Sequence, residues 1–218
     1  MLIAILLLPN VSVGAEEAKE AYESGVSCLG KNDYDAAITA FTEALRLDPK
    51  NIDAYYKRGM AYEVKGVYDN AITDFTEAIR LNPSFSLVYS ERGNAFDGKG
   101  EHDKAIADYT EAIRLDPKDA VSQNGLAWLR ATCSEERFRD GQRAIDHATK
   151  ACELTKWKYW GCVGTLAAAY AEAGKFDKAV DFQQKAVEMA TKDKEKDEMR
   201  ERLNLYRDRK PYRDVRKK

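Results

Sequence analysis

Histidine and cysteine are scarce in this chain, and their scarcity excludes most side-chain chemistry. Two histidines occur, His102 and His147, and four cysteines, Cys28, Cys133, Cys152 and Cys162, with no Cys-x-x-Cys pair among them. That spacing argues against zinc and against thioredoxin-like redox chemistry. His102 stands at a linker position held by Tyr34 and Tyr68 elsewhere, which gives it a structural role; His147 has no nucleophile or metal partner evident in the sequence. A glycine-rich phosphate loop is also missing, since Gly59 and Gly93 each stand alone in helical pattern. The acidic pairs Glu16-Glu17 and Glu135-Glu136 read as solvated charge. The chain is therefore read as no enzyme, with no cofactor, no metal and no small-molecule substrate. Its 35 basic and 37 acidic residues leave a net charge of −2, which gives no case for nucleic acid.

Long hydrophobic runs are missing too, apart from Leu2 to Leu8. That run is far short of the ~20 residues that span a bilayer, so no membrane association beyond export is expected. With the small-residue step Val13-Gly14-Ala15 it resembles a secretory signal peptide over residues 1–15. No positive charge precedes Glu16. The reading is an exported protein starting at Glu16, or a cytoplasmic one if the segment is not a functional signal. Charge is asymmetric at the other end. Residues 207–218 carry seven basic and two acidic residues, a net +5 against −7 for the rest. This tail is expected to be solvated and frayed; the alternative is an electrostatic tether to acidic lipid or protein.

What the chain does have is a period of 34 residues. Gly25, Gly59 and Gly93 fall in step, as do Ala37, Ala71 and Ala105, then Phe41, Phe75 and Tyr109, then Ala44, Ala78 and Ala112, then Pro49, Pro83 and Pro117. Such a period marks an array of helix–turn–helix units. The apolar and small residues of 52–85 keep helical spacing in two segments. Between the helices, Asn32, Gly66, Gly100 and Gly174 suit a left-handed helix end. Asp35, Asp69, Asp103 and Asp177 follow three residues later, where an Asp can cap the second helix and complement its dipole. The prolines stop that helix and turn the chain onward.

The pattern aromatic-x-x-x-Gly-x-x-aromatic, then Ala-x-x-x-aromatic-x-x-Ala-x-x-x-x-Pro, resembles the tetratricopeptide repeat. The resemblance implies an all-α, right-handed solenoid of five helix pairs, about 18–51, 52–85, 86–119, 120–159 and 160–192, with a capping helix at 193–207 and the basic tail at 208–218. The fourth unit departs: Ala127 replaces the glycine, its connection TCSEERFRDG is longer, and no proline closes it. In the last helix Met199, Leu203, Leu205 and Tyr206 can cover the array while its outer face stays polar. The combination AWLRATC, ACELTKWK, TLAAAYAEAGKFDKAV and KPYR also resembles a recurring C-terminal module of bacterial tetratricopeptide proteins.

The resemblance implies a function class as well, a non-enzymatic scaffold that holds a protein or peptide partner in a concave groove. The alternative is an assembly subunit that associates through repeat ends or the convex face. Carried onto this chain, the family's inward first-helix positions are Lys19, Tyr22, Glu23 and Val26; Asp53, Tyr56, Lys57, Met60 and Glu63; and Leu87, Ser90, Glu91, Asn94 and Asp97. Five are acidic and two basic, so the groove is expected to be negative and its partner basic and partly hydrophobic. The Lys and Asn of the chaperone-tail carboxylate clamp are absent, since its first two places carry Tyr22 and Val26, then Tyr56 and Met60. Tyr55, Tyr62, Phe75, Tyr89 and Phe96 read as core, and Trp157 and Trp160 as packing under the irregular link.

Two packing expectations complete the reading. Arg58 and Arg92 occupy a first-helix place where unit one has Ser24, and Asp74 and Asp108 a second-helix place where it has Ala40. Antiparallel pairing across the turns sets each Arg beside its Asp. Cys152 and Cys162 should be neighbours across the turn at 156–158, with a disulfide left open.

Overall fold

A computed structural model describes residues 11–215, with eleven α-helices and no strand among them. They divide into two units, each described by itself. The first ends at Ser84 and the second begins at Phe85. The first unit holds α1 (Val11–Gly30), α2 (Tyr34–Leu47), α3 (Ile52–Val64) and α4 (Tyr68–Leu81). The second holds α5 (Ser86–Lys99), α6 (His102–Leu115), α7 (Ala120–Thr132), α8 (Gly141–Leu154), α9 (Trp160–Glu172), α10 (Phe176–Met189) and α11 (Asp193–Arg207). The apolar run Leu2–Leu8 lies outside the described residues. No described helix is long and apolar enough to cross a membrane.

Every hairpin but the fourth turns on one left-handed residue: Asn32 at φ +59°, Gly66 at +73°, Gly100 at +83° and Gly174 at +73°. The Asp residues that follow do not cap. The N-cap places fall two residues earlier, on Asp33, Val67, Glu101 and Lys175, and only Asp33 makes a side-chain cap bond, from the Ala36 N–H at 3.1 Å. Asp35, Asp69, Asp103 and Asp177 lie instead in the first turn. There a carboxylate complements the helix dipole but its residue is already helical. Pro49, Pro83 and Pro117 each follow a C-cap residue, as the period implies.

Within a hairpin the helices touch where a glycine faces an aromatic ring. A Cβ built on Gly25 or Gly59 would lie 2.6 Å from the ring of Phe41 or Phe75, and on Gly93 2.9 Å from Tyr109. All three rings are buried. The fourth hairpin reaches the same closeness differently. Its two corresponding places hold Ala127 and Ala148, both fully buried in one cluster. One methyl on each helix stands where the other hairpins have a bare glycine and a ring.

The Arg–Asp pairs form as the repeat comparison implies. Arg58 Nε and Nη2 donate to Asp74 Oδ2 and Oδ1 at 2.8 and 2.7 Å. Arg92 makes the same two bonds to Asp108 at 2.7 and 2.8 Å. Arg58 Nη1 also donates to Thr42 Oγ1 of α2 at 2.9 Å, tying the second hairpin to the first. Burial opposes charge on both partners: it pulls Arg58 down and pushes the Asp74 carboxyl up. The two-pronged bond leaves the guanidinium above its ordinary range all the same.

In the second unit the long connection of the fourth hairpin is ordered. Phe138 is buried on a 3-10 turn, Glu136–Phe138, and Asp140 caps α8. Arg139 Nη1 donates to the carbonyls of Cys133 and Ser134, and its Nε to Glu172 Oε1 at 3.0 Å. Lys156 and Trp157 take left-handed conformations that end α8, and the Trp157 ring stacks on Phe182 at 6.2 Å. Cys152 and Cys162 are buried in the same cluster, and all four thiols are unbridged. Burial, then the neighbouring Cys162, pushes the Cys152 thiol up to about 12. Met199, Leu203 and Tyr206 of α11 are buried, and Gln183 Nε2 donates to the Met199 carbonyl at 3.0 Å.

The expectation of a frayed tail is corrected here. Asp214 N donates to the Thr132 carbonyl at 2.9 Å, and residues 211–214 are half-buried against the second unit. The tail carries aromatic and acidic groups among its basic ones, and these find partners that a uniformly basic segment would not.

Two substitutions test this packing. Arg58→Ala strands a buried carboxylate and is expected to cost about 3–5 kcal/mol in urea unfolding, whereas Arg58→Met with Asp74→Leu should come close to wild type. Gly59→Ala forces a methyl against the Phe75 ring and should cost about 1–3 kcal/mol despite the better helix propensity of Ala. Phe75→Leu in the same chain should recover part of that loss.

Candidate partner-binding face

The first helices of successive hairpins lie side by side within each unit: α1 beside α3 in the first, and α5, α7 and α9 in the second. Their shared face carries the residues that the resemblance implicates.

In the first unit, Glu23, Val26 and Asp53 are exposed, while Tyr22, Tyr56, Lys57, Met60 and Glu63 are half-buried. The Tyr22 ring packs 5.8 Å from Phe41, and Tyr56 lies 6.3 Å from Phe75. Burial first, and the Asp53 charge second, push the Tyr22 phenol above its usual range. Tyr22 on α1 and Asp53 on α3 are therefore close enough to sense each other. Lys19 sits 3.7 Å from Glu16 and 4.0 Å from Glu23, both exposed pairs. This face combines aromatic flanks, a methionine and carboxylates.

The second unit differs. Ser90 is fully buried and bonded to Asp119 and Ser122. Asp97, expected as an open groove acid, is buried and lies 3.0 Å from His102 Nδ1. His102 also sets its ring edge-on to Phe138. Asn94 donates to Glu91 Oε2 at 3.0 Å and accepts from the Tyr109 hydroxyl at 2.7 Å. Burial pushes the Glu91 carboxyl up, the Asn94 bond works against it, and the Asp119 charge adds to it. The expected negative charge is thus drawn inward on α5, Asp97 to His102 of α6 and Glu91 to Asn94 on its own helix. His147 is likewise structural, with Nδ1 2.7 Å from Gln123 Oε1 and its pKa lowered chiefly by burial.

A second group of residues on this face was not singled out from the sequence. Trp128 Nε1 donates to Asp214 Oδ2 at 3.0 Å. Arg213 lies 2.7 Å from Glu172 Oε2, whose other oxygen holds Arg139. Arg202 lies over the rings of Trp128 and Tyr212 at 5.3 and 5.6 Å. Beside them opens a pocket of about 440 Å³ whose lining includes Asp97, Trp128, Cys133 and Asp214. A signal existed: AWLRATC supplies Trp128, TLAAAYAEAG supplies Glu172, and KPYR supplies Tyr212 and Arg213. In this chain the three segments touch one another. Among the described residues no group of three or more His, Cys, Asp or Glu could hold a metal ion.

These hairpins, with a close glycine–aromatic contact inside each of the first three and first helices aligned on one face, define a helical repeat protein. Tetratricopeptide repeat models match residues 52–85 and 86–119, and related models match 27–66 and 163–193. The chain is built of tetratricopeptide repeats. No curated protein matches it significantly. Among solved structures it is similar to the MamA protein, at 25% identity over 80% of this chain and 92% of that one, with a TM-score of 0.65. A thermophilic TPR protein of Thermus thermophilus is 22% identical over 87% and 98%, with a TM-score of 0.67. The Cut9–Hcn1 hetero-tetramer of the APC/C is 22% identical over 88% of this chain and 36% of that one, with a TM-score of 0.77. The last two share the fold alone.

The Glu91 environment gives a pH test. A carboxyl whose folded pKa lies above its unfolded value costs stability at higher pH, and that cost disappears as pH falls through the folded pKa. Glu91→Gln should therefore melt higher than wild type at pH 7, with the two curves converging in acid. The Gln oxygen can still accept from Asn94, so a lower melting point at pH 7 would count against the assignment.

Proposed function

We propose that this protein is a non-enzymatic scaffold that holds an extended or helical segment of a protein partner against its first-helix faces. The observation that carries the reading is the α1–α3 face, where half-buried Tyr22, Tyr56 and Met60 flank exposed Glu23, Asp53 and Val26. Aromatic side chains supply contact area at small entropic cost, methionine adapts its shape, and carboxylates select for positive charge. The partner segment is basic and partly hydrophobic. Stacked helix pairs are suited to this task because their aligned helices make a long surface. The likeness of the C-terminal half to a module of bacterial tetratricopeptide proteins belongs to the same reading. So does export: cleavage before Glu16 would shorten α1 and would leave in place every residue of it described as buried, the first of which is Ala18.

Selection of random twelve-residue peptides on the purified chain tests this. Enriched sequences should carry Lys or Arg with apolar neighbours. Their binding should weaken at least tenfold with Glu23→Lys and Asp53→Lys together, and weaken with added salt. Binding indifferent to both changes would overturn the proposal for this face.

A further inference from the structure

The C-terminal segment meets α7 and α9 through a set of contacts that reads as recognition. Tyr212 sets its ring 5.8 Å from Trp128, and Arg202 covers both. Arg213 pairs with Glu172 at 2.7 Å. Asp214 accepts from the Trp128 indole at 3.0 Å and donates its backbone N–H to the Thr132 carbonyl at 2.9 Å. Three successive residues are thus read by an aromatic face, a carboxylate and an N–H donor, with one main-chain bond in parallel pairing beside Cys133.

The receiving groups are held by the helices themselves. Arg139 fixes Glu172 by its other oxygen and also bonds the carbonyls that end α7. The Thr132 carbonyl is one of the last of α7, where helix carbonyls lack an intrahelical donor. Trp128 is a residue of α7, carried by a buried core of Leu126, Ala127 and Leu129. A site made of preformed groups keeps its shape when the segment leaves, and each released group can turn to water. The chain between the end of α11 and Tyr212 is short, so the segment stays near the site at high effective concentration.

We propose that Trp128, Glu172 and the end of α7 form a binding site for an extended segment of the pattern aromatic–Arg–acidic, and that residues 212–214 occupy it as a displaceable internal ligand. The proposal rests on the scaffold reading above and adds a second site to it, in the other unit. A partner segment with the same pattern competes with the tail, so the tail sets a threshold for binding. The adjoining pocket of about 440 Å³ gives a partner room that the tail leaves open.

The probe is a fluorescein-labelled peptide of residues 208–218, DRKPYRDVRKK, with a scrambled peptide as control. It is titrated into the full chain and into the full-length variant Arg213→Ala/Asp214→Ala, whose own tail is released and whose site is intact. The variant should bind the peptide at least tenfold more tightly than wild type, and adding Glu172→Gln should abolish that gain. Equal binding to both chains, or none to a released variant whose circular dichroism is native, would overturn the proposal. Hydrogen exchange on the unaltered chain keeps the test decisive if the variant does not fold. The Asp214 amide should exchange at least tenfold faster than the Cys133 amide of the α7 end. Equal rates would mean that the tail opens only with the whole unit, and would overturn it. Peptide selection on the α1–α3 face reads other residues, so failure here leaves that result standing.

Discussion

Each of the first three hairpins depends on an approach between its two helices that only a missing side chain allows. Gly59 leaves the space that the Phe75 ring fills, with no room for even a methyl group, and Gly25 and Gly93 do the same for Phe41 and Tyr109. A helical glycine costs about 1 kcal/mol against alanine. The cost is offset by burying a whole aromatic ring in contact with the facing helix. The approach also sets the register of everything else in the hairpin. Arg58, one residue before Gly59, meets Asp74, one residue before Phe75, at the same height. In the fourth hairpin Ala127 and Ala148 divide the volume differently and still close the gap.

With that register set, polar groups inside the array act as joints. The Arg58–Asp74 pair reaches Thr42 of the preceding hairpin. In the second unit Ser90 is tied to Asp119 and Ser122, linking α5 to α7, and Gln183 of α10 holds the Met199 carbonyl of α11. Apolar packing alone tolerates sliding of one helix along another. A buried charge or hydroxyl with one geometric solution does not, since leaving it unpaired costs more than the pair gains. The same demand draws Asp97 away from the open face, to His102 of α6.

The two faces suggested for partners therefore differ in kind. In the first unit, aromatic and carboxylate groups sit side by side on α1 and α3 with much of their surface open to solvent. In the second, the face is dressed by the chain's own C-terminal segment, which satisfies an indole N–H, a carboxylate and a helix-end carbonyl at once. One repeat architecture thus carries an open acidic surface and a filled, specific one. The difference follows from where spare donors and acceptors remain after the helices have joined.

Period and residue class by themselves determined the helix pairs, the left-handed turns at Asn32, Gly66, Gly100 and Gly174, and the Arg–Asp pairs. All of these are local or repeat at fixed spacing, so comparing one unit with the next exposes them. The N-caps were misplaced by two residues, because an Asp in the first turn and an Asp at the cap look alike in one sequence. The burial of Asp97 and Ser90 was not legible either, since it depends on which neighbouring helix offers His102, Asp119 or Ser122. Only the tertiary structure decided the fate of the tail. Trp128 and Asp214 are 86 residues apart, and no period relates them. Net charge made residues 207–218 look like a solvated basic end, whereas residues 212–214 are held by single groups, one indole and two carboxylates, that long-range folding brings within hydrogen-bond reach.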